Sequence, residues 1–226
     1  MIKELTLDDT IIKYQISYKK NKNTYFYFKR NGYIQINASR SQKPKKILDY
    51  IYKNKEAFIK KYKLSNQFTY DNNLFYYFGK EYLKVEDIKA KEILISHRDL
   101  KVYEPEMEID QLEKAYKKMN KIVLLKELNL LKEKYKDNLF VDINNISLKT
   151  RYMNTRFGSC NPILRTININ LYLVHYNIEY LEYVFLHEIT HLVHHNHSKE
   201  YYALLKKLSP NYVQLKKEIN NKFVQR

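Results

Sequence analysis

The sequence predicts an α+β protein in which an N-terminal antiparallel β region ends in a helix and a largely helical domain follows. Apolar and polar residues alternate in the first part of the chain, which is the period of half-buried strands. Apolar positions then take helical spacing from residue 109 to 136, and a later apolar helix carries several histidines. The change from strands to the long helix places a domain boundary near residue 106. We therefore predict domains at 1–106 and 107–226.

The first domain begins with alternating segments that predict three antiparallel strands, at residues 11–18, 24–29 and 33–37. Asn31-Gly32 is a signal for a two-residue hairpin turn, because both residues tolerate positive φ. From Lys45 to Lys63 the apolar residues keep helical spacing and lysines occupy the other face. This segment predicts one amphipathic helix with a basic face.

The remaining elements follow from the same patterns. Strands and one long helix are predicted at residues 75–78, 81–85, 93–96, 100–103, 109–136 (the helix), 146–152 and 165–171. Asn177 is the predicted N-cap of the apolar helix that begins at Ile178. Ser198 is the predicted cap of the next helix, which runs to Leu208.

The apolar helix carries a metal-binding pattern, His187-Glu188-Ile189-Thr190-His191. Residues four apart lie on one face of a helix, about 6 Å apart along its axis, so His187 and His191 can bind one tetrahedral Zn²⁺. Glu188 would then lie beside the ion without binding it. A base in that position can take a proton from a water molecule that the ion activates.

The third ligand follows from distance along the helix. If the helix continued straight, His194 would lie about 10 Å from His187 along the axis, which is too far for the same ion. The chain must therefore turn, and Asn196 is a suitable helix stop because asparagine tolerates the left-handed conformation. His197 follows, and its offset of ten from His187 matches the metzincin spacing, although His194 replaces the glycine of that motif. Glu218 is the alternative third ligand.

A bare HExxH pattern is short and also occurs by chance on helices that bind nothing. Here it follows an apolar run from Ile178 to Leu186, in which unpaired polar side chains would be costly to bury. A bound zinc ion would supply the partner that these side chains need.

Four segments resemble one family in the same order along the chain. They are Arg156-Phe157-Gly158-Ser159-Cys160, Ile167-Asn168-Ile169-Asn170-Leu171, Tyr183-Val184 before His187-Glu188, and Asn196-His197-Ser198 with Tyr201-Tyr202. The chain thus resembles the YgjP-like metallopeptidase domain family, which shows R-W-G-S-C, I-x-L-N, Y-V-x-x-H-E-L-x-H-L and N-H-S-x-x-F-W. The resemblance implies that residues 107–226 form a zincin-like catalytic domain of a zinc peptidase related to SprT-like proteins. Its implied zinc ligands are His187, His191 and His197, with Glu188 as the catalyst.

Three positions depart from the family pattern. Phe157 replaces its Trp, Tyr201-Tyr202 replace its Phe-Trp, and Asn177 lies near a position that is often Pro. Each replacement keeps aromatic bulk or loop character. The departures therefore affect the substrate details and not the metal ligands.

In zincins an edge strand beside the metal pairs with the backbone of an extended substrate. Residues 165–171 come just before the zinc helix, so this strand is expected to have that role, and the alternative is an inner strand. The substrate would be a peptide or protein. The donor for the tetrahedral intermediate is open among several side chains, namely Arg156, Tyr201, Tyr202, His194 and His195.

Composition favours a folded protein without a membrane segment. The 226 residues are 44% apolar and 15% aromatic, which is enough for a core. No segment approaches the roughly 20 apolar residues of a membrane span, and the N-terminus lacks the pattern of a secretory leader. The single cysteine, Cys160, allows no intrachain disulfide, so a cytoplasmic location is expected. We interpret Cys160 as a structural thiol in a turn rather than as a nucleophile.

The net charge of +16 points towards a nucleic acid partner. The charge is spread over both halves, however, and abundant Lys, Asn, Ile and Tyr are also typical of A/T-rich coding sequence. In the predicted basic helix 45–63 a solvated surface face and a polyanion contact both remain open. The alternatives to a general zinc peptidase are therefore a DNA-associated SprT-like protease and a zinc-stabilised binding domain without turnover.

Overall fold

The structure, a computed structural model, describes residues 2–29, 32–66, 73–137, 141–153 and 155–222. The chain divides into two compact units, one of residues 1–72 and 221–226 and the other of residues 73–220. The strands between residues 73 and 106 thus belong to the second unit. The predicted domain boundaries, 1–106 and 107–226, fall elsewhere and stay a prediction.

One mixed sheet in the first unit consists of β1 Lys3–Leu7, β2 Thr10–Lys19, β3 Tyr25–Lys29 and β4 Tyr33–Ser39. The strand order is β1-β2-β4-β3. The three predicted strands are confirmed, but their all-antiparallel pairing is wrong, because β2 and β4 run parallel. The β3–β4 hairpin turns β3 away from β2 and leaves β4 as the partner of β2. β1 was not predicted, and Asn31 of the predicted turn lies outside the described residues.

The predicted single basic helix is two helices, α1 Pro44–Lys53 and α2 Lys55–Asn66. Asn54 interrupts it, because its side-chain Nδ2 donates to the carbonyl of Tyr50 at 2.8 Å and its backbone has φ −115°. Each helix buries one pair of apolar residues in the core of the first unit, Ile47 and Ile51 from α1, and Phe58 and Tyr62 from α2. The two pairs would also be in phase along one continuous helix, so their spacing did not reveal the break.

The second unit holds two sheets among its described residues. The first consists, in the order β5-β6-β8-β7, of β5 Leu74–Tyr77, β6 Lys80–Glu86, β7 Leu94–Ser96 and β8 Lys101–Glu104. The second consists, in the order β10-β11-β9, of β9 Ser147–Arg151, β10 Gly158–Asn161 and β11 Thr166–Asn170. The helical elements are α3 Ile109–Tyr135, a 3-10 helix Leu171–His175, α4 Ile178–Thr190, α5 Lys199–Leu208 and α6 Tyr212–Lys222. The α+β class is confirmed, while β10, the 3-10 helix and α6 were not predicted.

The strand predicted at residues 165–171 is β11, and the expectation that it lies at an edge is wrong. β11 pairs with β10 on one side, antiparallel, and with β9 on the other, parallel. The segment Gly158 to Cys160 is not a turn but part of β10, at the edge of this sheet. Burial raises the pKa of the half-buried Cys160 thiol to about 11, which makes it a poor nucleophile.

Among the described residues no helix combines the length and the apolar character that crossing a bilayer requires.

Candidate metal centre

The apolar helix α4 carries His187 and Glu188 near its end. The side-chain oxygen of Asn177 accepts a hydrogen bond from the Glu179 backbone N–H at 3.1 Å, which confirms Asn177 as the N-cap. The helix then buries a set of large apolar side chains, Leu181, Val184, Phe185, Leu186 and Ile189. Burial of each such side chain contributes roughly 1.5–3 kcal/mol to stability. The helix is therefore held firmly in the position that presents His187 and Glu188.

α4 ends at Thr190 and not at Asn196, so the predicted helix stop is wrong. His191 is the last residue with helical dihedrals, at φ −70° and ψ −13°, and its backbone N–H donates to Ile189 O. The N–H of His194 then donates to Thr190 O at 3.0 Å, which closes a turn. The chain therefore turns back soon enough for His197 to return towards the helix.

His187, His191 and His197 come together at this turn. One ring nitrogen of each lies within 4.8 Å of the others, and the Nε2 atoms of His187 and His197 are 3.4 Å apart. Two nitrogens bound tetrahedrally to zinc at about 2.05 Å lie about 3.3 Å from each other, so this spacing fits the ion. Among the histidine, cysteine and acidic side chains of the described residues, these three histidines form the group whose ligand atoms lie close enough together to hold a metal.

Two of these imidazoles are held neutral, which is the form that binds metals. Burial, followed by the neighbouring His191 and His197, lowers the pKa of His187 to about 3. Burial also lowers the pKa of His191. His191 Nδ1 lies 3.1 Å from the carbonyl of His194, to which it can donate, leaving Nε2 for a metal.

Glu188 follows His187 in α4 but is not one of the group that could hold a metal. Its side chain is buried, with 5% of the residue exposed. Burial raises the pKa of its carboxyl to about 8, and the positive charge of Arg156 opposes that rise. A buried carboxyl of raised pKa next to a potential metal site is typical of a general base.

Gly158 of β10 makes room for Glu188, and the sequence reasoning did not single it out for this. A β-carbon at Gly158 would lie 2.5 Å from Glu188 Oε1 and 2.7 Å from its Cγ. Real contacts of that kind are never so short, so any larger residue would displace the carboxylate. The resemblance to the R-W-G-S-C element contained this signal, but only the packing reveals its cause.

We expect Gly158→Ala to keep the metal and lose turnover. Displacing Glu188 by up to about 1 Å should reduce kcat by about 100-fold, because reacting groups must be closely aligned. Ser147→Ala, at an exposed position in β9 of the same sheet, is the control and should change kcat by less than about threefold. Metal content, thermal midpoint and peptide cleavage are measured for each; full activity in Gly158→Ala would contradict the role of the close contact.

Asn170 is a second residue that sequence reasoning passed over as a strand position. Its Nδ2 donates to the carbonyls of Met153 at 2.7 Å and Arg156 at 2.8 Å, and its Oδ1 accepts from Met153 N and Tyr172 N. Fully buried, it binds the backbone carbonyls of Met153 and Arg156 and caps the 3-10 helix. The backbone carbonyl of Arg156 is thereby held in a defined place.

The structure also places the other predicted site residues. Tyr201 is fully buried, and its hydroxyl lies 2.6 Å from His187 Nδ1, so it is engaged with a histidine of the cluster. Tyr202 stacks its ring on His197, with centroids 5.9 Å apart. Arg156 is exposed.

The side chains of the remaining alternatives are not among the converging ligand atoms. His194 contributes its carbonyl to His191, and His195 is exposed. The carboxylate of Glu218 accepts hydrogen bonds from Tyr180 at 2.7 Å and from Gln214 at 2.8 Å. Glu218 is not among the side chains whose ligand atoms converge.

The model of one protein family, the YgjP-like metallopeptidase domain, matches residues 22–222 of this chain. The chain belongs to this family. The resemblance seen in the sequence motifs is thereby confirmed, and so is the assignment as a peptidase and hydrolase. A YgjP-like metallopeptidase requires a metal, and the histidine cluster is where this chain could bind one.

Two solved structures are similar to part of this YgjP-like chain. The metallopeptidase zymogen abylysin of Pyrococcus abyssi has 16% identity and a TM-score of 0.38, over 46% of this chain and 97% of its own. The metallopeptidase zymogen jannalysin of Methanocaldococcus jannaschii has 22% identity and a TM-score of 0.36, over 44% of this chain and 95% of its own. No curated protein matches the chain.

Proposed function

We propose that this YgjP-like protein is a zinc-dependent peptidase whose ion is bound by His187, His191 and His197. The observation that carries the proposal is the convergence of their ring nitrogens within 4.8 Å in a member of a metallopeptidase family. Three imidazoles and an open fourth position are typical of catalytic zinc. When bound, the ion would polarise the scissile carbonyl and lower the pKa of a water molecule to roughly 7.

Glu188 is the proposed general base. Its carboxylate, packed on Gly158, would take a proton from the attacking water and then donate it to the leaving amine. Burial supports this role, because it raises the pKa of Glu188 towards the working pH, where the group can both take up and give back a proton.

Arg156 is the proposed donor for the negative charge that develops on the carbonyl oxygen. It carries a permanent positive charge and interacts electrostatically with Glu188. Tyr201, another candidate, has its hydroxyl against His187 instead. Asn170 supports Arg156 by binding its carbonyl.

The proposed substrate is an extended peptide or a protein segment. β10 lies at the edge of its sheet, and its Gly158 touches Glu188, so β10 is better placed than the inner β11 to pair with a substrate backbone. Main-chain pairing of this kind gives affinity with little side-chain specificity. The cytoplasmic location stays a prediction.

Removal of the metal tests the proposal. Treatment with a strong chelator should abolish cleavage of casein or a peptide library, and one equivalent of zinc should restore it, because the ion supplies the Lewis acid. A zinc-stabilised binding domain would instead lose and regain its fold without cleaving any peptide. Cleavage that persists in the metal-free chain would contradict the proposed function.

A nucleic acid partner remains a second proposal, favoured by one feature of the first unit. A cleft of about 680 Å³ is lined by Lys22, Lys46 and Lys53 together with the half-exposed Tyr50, although Asp49 also lines it. Lysines beside an exposed aromatic ring suit a single-stranded nucleic acid. DNA binding that weakens steeply with salt, and that is lost on Lys46→Glu with Lys53→Glu, would support the contact. Equal binding by parent and variant would exclude it.

A further inference from the structure

Tyr201 contacts the Nδ1 side of the His187 ring, where it can control the chemistry of that imidazole. It lies in the first turn of α5, where its backbone N–H donates to the capping Ser198 Oγ at 3.3 Å, and it is fully buried. Its hydroxyl oxygen lies 2.6 Å from His187 Nδ1 and 3.1 Å from the backbone carbonyl of the same residue. One hydroxyl group therefore meets both a ring nitrogen and a carbonyl of His187.

The carbonyl decides the direction of these hydrogen bonds. In a continuing helix the N–H of His191 would donate to His187 O, but α4 ends here and that N–H donates to Ile189 O instead. The Tyr201 hydroxyl takes its place and donates to His187 O. A hydroxyl has one proton, so with that proton on His187 O the oxygen faces the ring as an acceptor, and Nδ1 of His187 then carries the hydrogen.

We propose that Tyr201 is a positioning residue that locks His187 in the Nδ1–H tautomer and so directs its Nε2 lone pair at the metal. His191 is held in the same tautomer by a different acceptor, since its Nδ1 faces the carbonyl of His194 at 3.1 Å. The Nε2 atom of His187 in turn faces Nε2 of His197 at 3.4 Å, which is where a shared ion requires it. The inference rests on the proposed function, because it presumes that His187 is a zinc ligand.

The ring of Tyr201 and its hydroxyl have separate contacts in the cluster. The Tyr201 ring also contacts all three histidines, with centroid distances of 5.5, 4.6 and 4.7 Å to His187, His191 and His197. Tyr201→Phe keeps that ring and removes only the hydroxyl, so it separates the hydrogen bond from the packing.

The test compares zinc affinity in the parent, in Tyr201→Phe and in a control. Tyr135→Phe is the control, because it removes a 2.6 Å hydroxyl bond to Glu182 of the same helix α4. Competition with a chromophoric chelator should show zinc bound about 10-fold or more weakly by Tyr201→Phe and within twofold of the parent by Tyr135→Phe. Equal affinity of parent and Tyr201→Phe would overturn the inference. A parent that binds no zinc would instead refute the proposed function.

A second readout follows the tautomer itself in the zinc-loaded chain. Long-range ¹H–¹⁵N spectra of the histidine rings should show His187 bound through Nε2, with an Nδ1 proton that exchanges slowly in the parent and much faster in Tyr201→Phe. A purely structural effect of Tyr201 would leave that exchange unchanged. Coordination of His187 through Nδ1 in the parent would overturn the proposal, whatever the stability of the variant.

Discussion

Glu188→Gln is expected to retain zinc and the fold while its kcat falls by about 10²–10⁴-fold. Glutamine has the shape of glutamate and can occupy the same space against Gly158, but it cannot accept a proton from water. Since Glu188 is proposed as the base and not as a ligand, metal content should stay at the parent level. Zinc analysis and cleavage of a peptide library on the same preparation measure both quantities.

The matched control for Glu188→Gln is Glu182→Gln on the same helix. The Glu182 carboxylate accepts hydrogen bonds from Lys134 and Tyr135, both at 2.6 Å, and has no proposed part in hydrolysis. Its replacement should lower stability slightly and leave kcat within a few-fold of the parent. If Glu188→Gln cleaves peptides as fast as the parent, the proposed mechanism is wrong for this chain.

His197→Ala is expected to weaken zinc binding by at least about 100-fold and to abolish hydrolysis. With this ring removed, two imidazoles remain, and two protein ligands do not hold catalytic zinc tightly. His197 is exposed and lies after the turn, so its loss should leave the apolar core of α4 intact. Zinc retained after gel filtration is the direct measure.

The neighbouring His195 supplies the control for that experiment. It is exposed and lies outside the group of converging nitrogens, so His195→Ala should keep its zinc and its activity. If His197→Ala kept the zinc content of the parent, His197 would be refuted as the third ligand, and Glu218 would be the alternative.

The proposed ligands could be read from sequence because local geometry positions them. His187 and His191 are four apart, and His191 still has helical dihedrals although α4 has ended, so the spacing argument survives. The end of the helix was misplaced, because it depends on the N–H groups of Leu192 and Val193 bonding the carbonyls of Ile189 and Thr190, three residues back instead of four, which no residue type announces. Asn196 was a reasonable stop signal, but the chain turns before reaching it.

Long-range pairing was the part that residue patterns could not predict. A strand has the same two-residue period whether it lies in the middle of a sheet or at its edge, so β11 was wrongly assigned to the edge. Gly158 to Cys160 suggested a turn because glycine and serine are frequent there. Gly158 is instead in β10 because it pairs with Ile169 of β11, and it is a glycine because Glu188 packs against it. Likewise, the periodicity across Asn54 could not distinguish one helix from two.

The coordination of zinc in the loaded protein tests the central claim most directly. X-ray absorption at the zinc edge should show three imidazole nitrogens at about 2.0–2.1 Å and one oxygen, with one ion per chain. The three nitrogens would be those of His187, His191 and His197, so His197→Ala should lower the imidazole count. A spectrum with a sulfur ligand, which only Cys160 or a methionine could supply, or with fewer than three imidazoles in the parent, would contradict the account.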